Sequence, residues 1–372
     1  KAAADKAAAD KAATDKAAAD KAAADKAAAD KVAREAEQSK KNQKAPALDD
    51  ALLRDPLRSV DVAVATPLSL LRDSPRRELL LQLALGYGES GAMRGIAASL
   101  GVLRVRHDQF GMAFGLGAAL VGGNTRGLVA AVGYSEVDGK LDGIQLGVGA
   151  AWQRGPSAHG AVLAAGGALA ENLNGLLMAG GFTRANALRG IAVAGGVNVA
   201  RNLDGIALAP LNVHGRVNGL QIGVVNVADE VDGVAIGILS FAKNGRVQPV
   251  LWTQTDRSVH VAIKSIAGYA FTQLGGGIDV NGDNFGYDGG IGAHLKLSPS
   301  WFFEPGVHYS SSQRTTDASG SVQGHQLHYL AQIGLRVGDK VDLLVAAGAR
   351  HTVVGGSDTA LAPELRVGIG LF

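Results

Sequence analysis

One glycine-anchored unit recurs along the middle of the chain and confines it to a repetitive β architecture. A glycine followed by an aliphatic-rich run stands at Gly95, Gly111, Gly127, Gly143, Gly160, Gly175, Gly190, Gly205, Gly219 and Gly233, at intervals of 14 to 17 residues. A near-constant period of this length marks a repeat fold in which each unit is one structural element. The clearest copies read Asn218-Gly-Leu-Gln-Ile-Gly-Val-Val-Asn-Val-Ala-Asp-Glu230 and Asp232-Gly-Val-Ala-Ile-Gly-Ile-Leu-Ser240. Strand alternation puts Leu220, Ile222 and Val224 on one face and Gln221, Gly223 and Val225 on the other. In neighbouring copies Ile191 and Val193, or Ile206 and Leu208, oppose Ala192 and Ala194, or Ala207 and Ala209. One face is therefore bulky and the other small, while charges such as Arg201, Asp204 and Asp229-Glu230 collect between strands.

Two architectures accommodate such a unit. In a β-solenoid each unit is one coil, the bulky face fills a narrow interior, and equivalent residues stack. Asn212 and Asn226 then belong to an asparagine ladder at the turn. In a membrane barrel each unit is one strand, the bulky face meets lipid, and the polar pieces are turns. Near-identical units favour the solenoid, because antiparallel barrel strands alternate in direction and call for a two-unit period. The lack of charge on either strand face favours the barrel.

The flanking segments differ in kind. Residues 1–30 are six copies of Lys-Ala-Ala-Ala-Asp, with Thr14 the one deviation. Alanine with Lys and Asp at i,i+4 predicts a helix over 1–38, a spacer without an apolar stripe. Residues 39–59, with Pro46 and Pro56, read as a linker. Val60, Val62 and Val64 begin a period-two pattern that continues through Glu78–Leu85, so strands and repeats fill 60–245.

Beyond Gly245 the repeat gives way to antiparallel-type strands over 246–372. Ile291, Ala293, Leu295 and Leu297 alternate with Gly292, His294, Lys296 and Ser298, and Leu327, Tyr329, Ala331, Ile333 and Leu335 alternate with polar residues. Connections alternate in length: tight at 298–300 and 338–340, long at 313–324 and 354–360. Short turns on one side and long loops on the other are the pattern of outer-membrane barrels. Trp301, Phe302, Phe303, Tyr269, Phe271, Phe285 and Tyr287 near strand ends suit an interfacial girdle. The expected class is all-β, a solenoid or further barrel strands followed by a membrane-type barrel.

The units at Gly219 and Gly233 resemble the "GLQIGLVN"-type surface-repeat proteins of bacterial outer membranes, over roughly residues 60–372. That resemblance implies an exported, membrane-associated protein and brings no catalytic residues. Gln221-x-Gly223-x-x-Asn226-x-Ala228 also resembles the repeat core of curli subunits, which implies a β-arch geometry. The ending Leu365-Arg-Val-Gly-Ile-Gly-Leu-Phe372 resembles the C-terminal signal read by outer-membrane insertion machinery, with Phe372 its final residue. Gly370 and Gly368 stand in phase where that signal carries bulky residues.

Chemistry-bearing motifs are few. The chain has no cysteine, so thiolate metal sites and disulfides are excluded, and a formal charge of +2 with scattered Lys/Arg gives no nucleic-acid face. Gly86-Tyr-Gly-Glu-Ser-Gly91 satisfies G-x-G-x-x-G but follows a strand with no helix to come. His325 and His328 fall on opposite strand faces, and no metal or cofactor site is expected. Gly306-Val-His308-Tyr-Ser310 places His and Ser on one face and faintly resembles the site of small barrel lipid A deacylases. Ser311 replaces that family's Asn, and no acid can be placed. Asn281–Asn284 and Gly355–Asp358 read as turns.

The expected role is a non-enzymatic outer-membrane protein with a structural or surface-interaction task, the alternatives being a small-solute channel and, distantly, a lipid hydrolase. Expected partners are outer-membrane lipid, peptidoglycan or a periplasmic partner at the N-terminal helix, and a second copy through the small-residue face.

Overall fold

A computed structural model describes residues 60–372 apart from Pro67, Arg72, Asp256, 281–283, 315–321, Asp339 and 355–360. The helix expected over 1–38 and the linker over 39–59 lie outside these residues.

The repeat is a parallel β-solenoid. Each coil hydrogen-bonds in register to the next, so that Gly111, Gly127 and Gly143 lie side by side, as do Gly190, Gly205 and Gly219. The early coils are built from two short strands, such as Leu141–Gly147 and Ala150–Gln153. The later ones are single bent strands, such as Val197–Leu208, Leu211–Ile222 and Val225–Ile236. The reading of the repeats as further barrel strands is thereby excluded.

The bend explains the glycine. From Gly111 to Gly219 the repeat glycines have φ between +117° and +149°, a region closed to side chains. A Cβ on Gly219 would also run into the carbonyl oxygen of Gly205 one coil back. Gly233 falls outside that φ set, but a Cβ there would meet Gly219 in the same way.

The faces are the reverse of those expected for a solenoid. Ala192, Ala207, Gln221 and Ala235 are buried, while Ile191 and Ile222 are exposed. The small face points inward because a coil of this length encloses two closely spaced walls that leave room for Ala, Val and an occasional Gln. Leu141, Leu173, Leu188 and Leu203 fill the core at the corner before the glycine. Buried glutamines supply amides to corner carbonyls, as Gln145 does to Ser135 and Trp152 at 3.0 and 3.1 Å. The expected asparagine ladder is present: Asn212 donates to Asn226 at 2.9 Å, and Asn226 to Ser240 Oγ at 3.1 Å. Thr183 extends the same row by donating to Asn198 at 2.9 Å.

The second part is a closed antiparallel barrel. Its long strands are Arg246–Gln254, Ser258–Ala267, Ala270–Asp279, Asn284–Ala293, Trp301–Arg314, Val322–Val337, Val341–Val354 and Leu361–Leu371. Each pairs with its neighbour in sequence, and the first pairs with the last, which closes the wall. Leu295–Lys296 adds a short pairing at the edge of Trp301–Arg314.

The final coil docks on one end of the barrel. Gly268, in the turn between the second and third barrel strands, bridges to Val234. Tyr269 N donates to Gly233 O at 2.7 Å, and Ser240 N to Ser265 Oγ at 3.1 Å. Asn244 closes the junction through both polar groups of the Val231 backbone.

Candidate functional site in the barrel lumen and on the solenoid flank

Alternation along each barrel strand separates two chemistries. On the second strand Val259, Val261 and Ile263 face out and are exposed, while His260, Ala262 and Lys264 face in and are buried. The outer surface continues with Leu251, Leu274, Ile291, Val307, Ile333, Leu343, Val345 and Val367. Water does not tolerate an apolar belt of this extent around a closed wall, whereas lipid requires it. The barrel is of the membrane-spanning type. Trp301, Tyr269, Phe285 and Tyr287 sit exposed as girdle residues, but Phe271 and Phe302 do not, because both turn inward and are buried.

That inward turn has a purpose. Lys264 is 1% exposed, and its ammonium lies 4.6 Å from the Phe271 ring centre and 6.0 Å from that of Phe302. Its charge is met by Glu304, which also accepts from Gln332 and sits 2.8 Å from His294 Nδ1. A buried ammonium without such a partner costs several kcal/mol.

Toward the long-loop end are two further relays. Ser310 Oγ lies 2.8 Å from His328 Nε2, and His328 Nδ1 lies 2.6 Å from Glu364. Glu364 in turn accepts from Arg366 Nε at 2.6 Å. Ser258 Oγ lies 2.7 Å from His260 Nε2, with Asp288 at 2.6 Å from His260 Nδ1 and Trp252 stacked on the ring. Eight strands leave an interior just wide enough for side chains, and here interlocked charged groups occupy it.

His308 and Ser310 share the inner face as expected, but the base within reach of Ser310 is His328 from the next strand. His325 is held outside by Tyr309 OH at 2.6 Å, on the face opposite His328. The acids Glu304, Glu364 and Asp288 were not identified in the sequence. Their signal is a charged residue on the strand face opposite the bulky aliphatic one, as Glu364 and Arg366 stand opposite Leu365 and Val367. Gly86–Gly91 falls in the strand Glu78–Ser90 and the adjoining turn. The loops Asn281–Asp283 and Gly355–Asp358 lie outside the described residues. Phe372 is half-exposed, with Arg246 4.0 Å from its ring centre.

The solenoid carries a second distinctive surface. Ile96, Met112, Ile144, Ile191, Leu220 and Val234 stand in one outward column. A parallel column runs from Leu83 through Phe114, Leu146, Met178 and Leu208 to Ile236. Neither column contains a charge from the first coil to the last. Near Val62–Leu70 the columns border an apolar cavity of 1120 Å³.

No protein-family profile and no curated protein sequence matches the chain. Among solved structures it is similar to a designed barrel reported under "De novo design of transmembrane beta-barrels", with 22% identity over 34% of this chain and 91% of that one, TM-score 0.22. It is also similar to a de novo designed barrel solved by solution NMR, with 18% identity over 34% of this chain and 93% of the other, TM-score 0.22.

Proposed function

We propose that the chain is a non-enzymatic bacterial outer-membrane protein whose barrel is a closed anchor for the repeat solenoid, which serves a structural or surface-interaction role. One observation carries the reading: the barrel is apolar outside and filled inside by paired charges such as Lys264–Glu304 and Glu364–Arg366. The longest connections on one end, 315–321 and 355–360, and tight turns at 268–269 and 338–340 on the other support placement in the outer membrane. In cell fractionation the protein is expected in the outer-membrane fraction, released by detergent, with a gel mobility that shifts on boiling. Recovery in a soluble fraction without detergent refutes the proposal.

The Ser310–His328–Glu364 relay favours a second reading, hydrolysis of an acyl ester. Nucleophile, base and orienting acid meet the distances that serine acylation needs. A fluorophosphonate serine reporter applied to the folded barrel decides between the two. The anchor reading predicts no adduct, and an adduct on Ser310 lost in His328→Ala replaces it with the hydrolase.

A further inference from the structure

The aliphatic columns of the solenoid are outward-facing, uncharged and continuous, and they end at the barrel. Their last residues, Val234 and Ile236, lie in the coil that bridges to Gly268 and accepts from Tyr269 N at 2.7 Å. Gly268 and Tyr269 join the two strands that carry Val261, Ile263 and Leu274 on the lipid-facing belt. The apolar flank is therefore continuous with the surface that meets bilayer acyl chains.

At the far end the flank deepens. Val60–Ala65 stacks in parallel on Glu78–Ser90 at the end of the solenoid, and Leu68–Ser69 pairs back on it, raising a wall that carries Leu68 and Leu70. Between this wall and the corner residues Leu100, Leu116, Val132 and Val148 lies the 1120 Å³ cavity. That volume is just above the usual range of small-molecule sites, commonly about 300–1,000 Å³. Its polar lining is confined to Ser69, Ser99 and backbone. Midway along the flank the corner positions become Ala165, Gly180, Gly195 and Pro210, which leaves a trough beside Leu163, Met178, Val193 and Leu208.

We propose that this flank binds phospholipid acyl chains, with the cavity at Leu68, Leu100 and Leu116 as its deepest site and the columns as a path to the bilayer. The proposal rests on reading the barrel as a membrane anchor. The occupant is lipid because the flank is open, aliphatic and continuous with a lipid-facing wall. At about 4.8 Å per coil, the ten steps from Leu85 to Ile238 make the path roughly 50 Å long.

The full chain, reconstituted in vesicles of phosphatidylcholine with a diazirine on one acyl chain, is irradiated and its peptides are mapped by mass. Lipid adducts are expected both on barrel peptides carrying Val261–Leu274 and on solenoid peptides carrying Leu100–Val148. Leu100→Asp with Leu116→Asp, both at exposed positions, is expected to lower the solenoid adducts roughly fivefold or more and to leave the barrel adducts unchanged. Adducts confined to the barrel overturn the inference and leave the anchor standing. Absence of adducts from the barrel overturns both. Protection of the solenoid by cross-links to a second copy assigns the flank to self-association and also overturns it.

Discussion

At the scale of single residues, burial of polar groups sets the sharpest expectations. His214 projects into the solenoid core, where its Nδ1 accepts from Gln221 and its Nε2 meets no partner among the described residues. Burial pushes its pKa down from 6.5 to about 4. The unfolded chain therefore takes up this proton at a higher pH than the folded one. Stability is fully present above about pH 6.5 and is lost as pH falls toward 4, by roughly 3 kcal/mol at most. Denaturant titrations of the solenoid between pH 8 and pH 4 should show this slope, and His214→Gln should remove it. An unchanged slope in the variant assigns it to other groups. The inward face was legible at residue level, although the expectation ran the other way. Asp204 stands two residues before Ile206, Arg189 before Ile191 and Asp232 before Val234, so the charges and the bulky column share a strand face. Since the charges must be outside, Ala192, Ala207 and Gln221 had to be inside. The relays of the lumen were not legible, because Ser310, His328 and Glu364 come from three strands whose register no local pattern fixes.

At the scale of the element, the coil is held by its glycine and its ladder. The period of the glycines announced a repeat, and the two-unit argument correctly favoured coils over barrel strands. What sequence alone did not supply was the φ of those glycines, since a glycine required for conformation looks the same as one required for close approach. Both requirements hold at Gly205, which has φ +143° and faces the Gly190 carbonyl. Gly205→Val is therefore expected to cost more than about 1–3 kcal/mol, the backbone term alone, read as a lower denaturation midpoint of the solenoid. Because neighbouring coils share their hydrogen bonds, the loss should propagate to Gly190 and Gly219 as faster amide exchange. A variant with wild-type midpoint and exchange would remove the conformational explanation.

At the scale of the whole molecule, a lipid-soluble wall encloses an interior packed with paired charged groups. Lys264, His260, His328, Glu304, Asp288 and Glu364 are all buried in the lumen, and each has a partner there. A continuous water column would have to break these pairs, so planar bilayers containing the protein should show no steady conductance. Sustained channel currents at modest voltage would restore the solute-pore alternative. The membrane character of residues 246–372 was readable from strand alternation, whereas the inward turn of Phe271 and Phe302 toward Lys264 was not. Aromatic position along a strand tells height in the membrane, but only registration tells which side of the wall it serves.

The docking of the last coil on the barrel has a consequence for growth. A stacked parallel coil ordinarily offers a row of unpaired backbone groups at each end, and open-ended fibres lengthen by adding units to both. Here the end after Ser240 is capped by the strands that follow it in the same chain. The barrel is thus also a terminator: no further coil can add to the solenoid beyond Ser240.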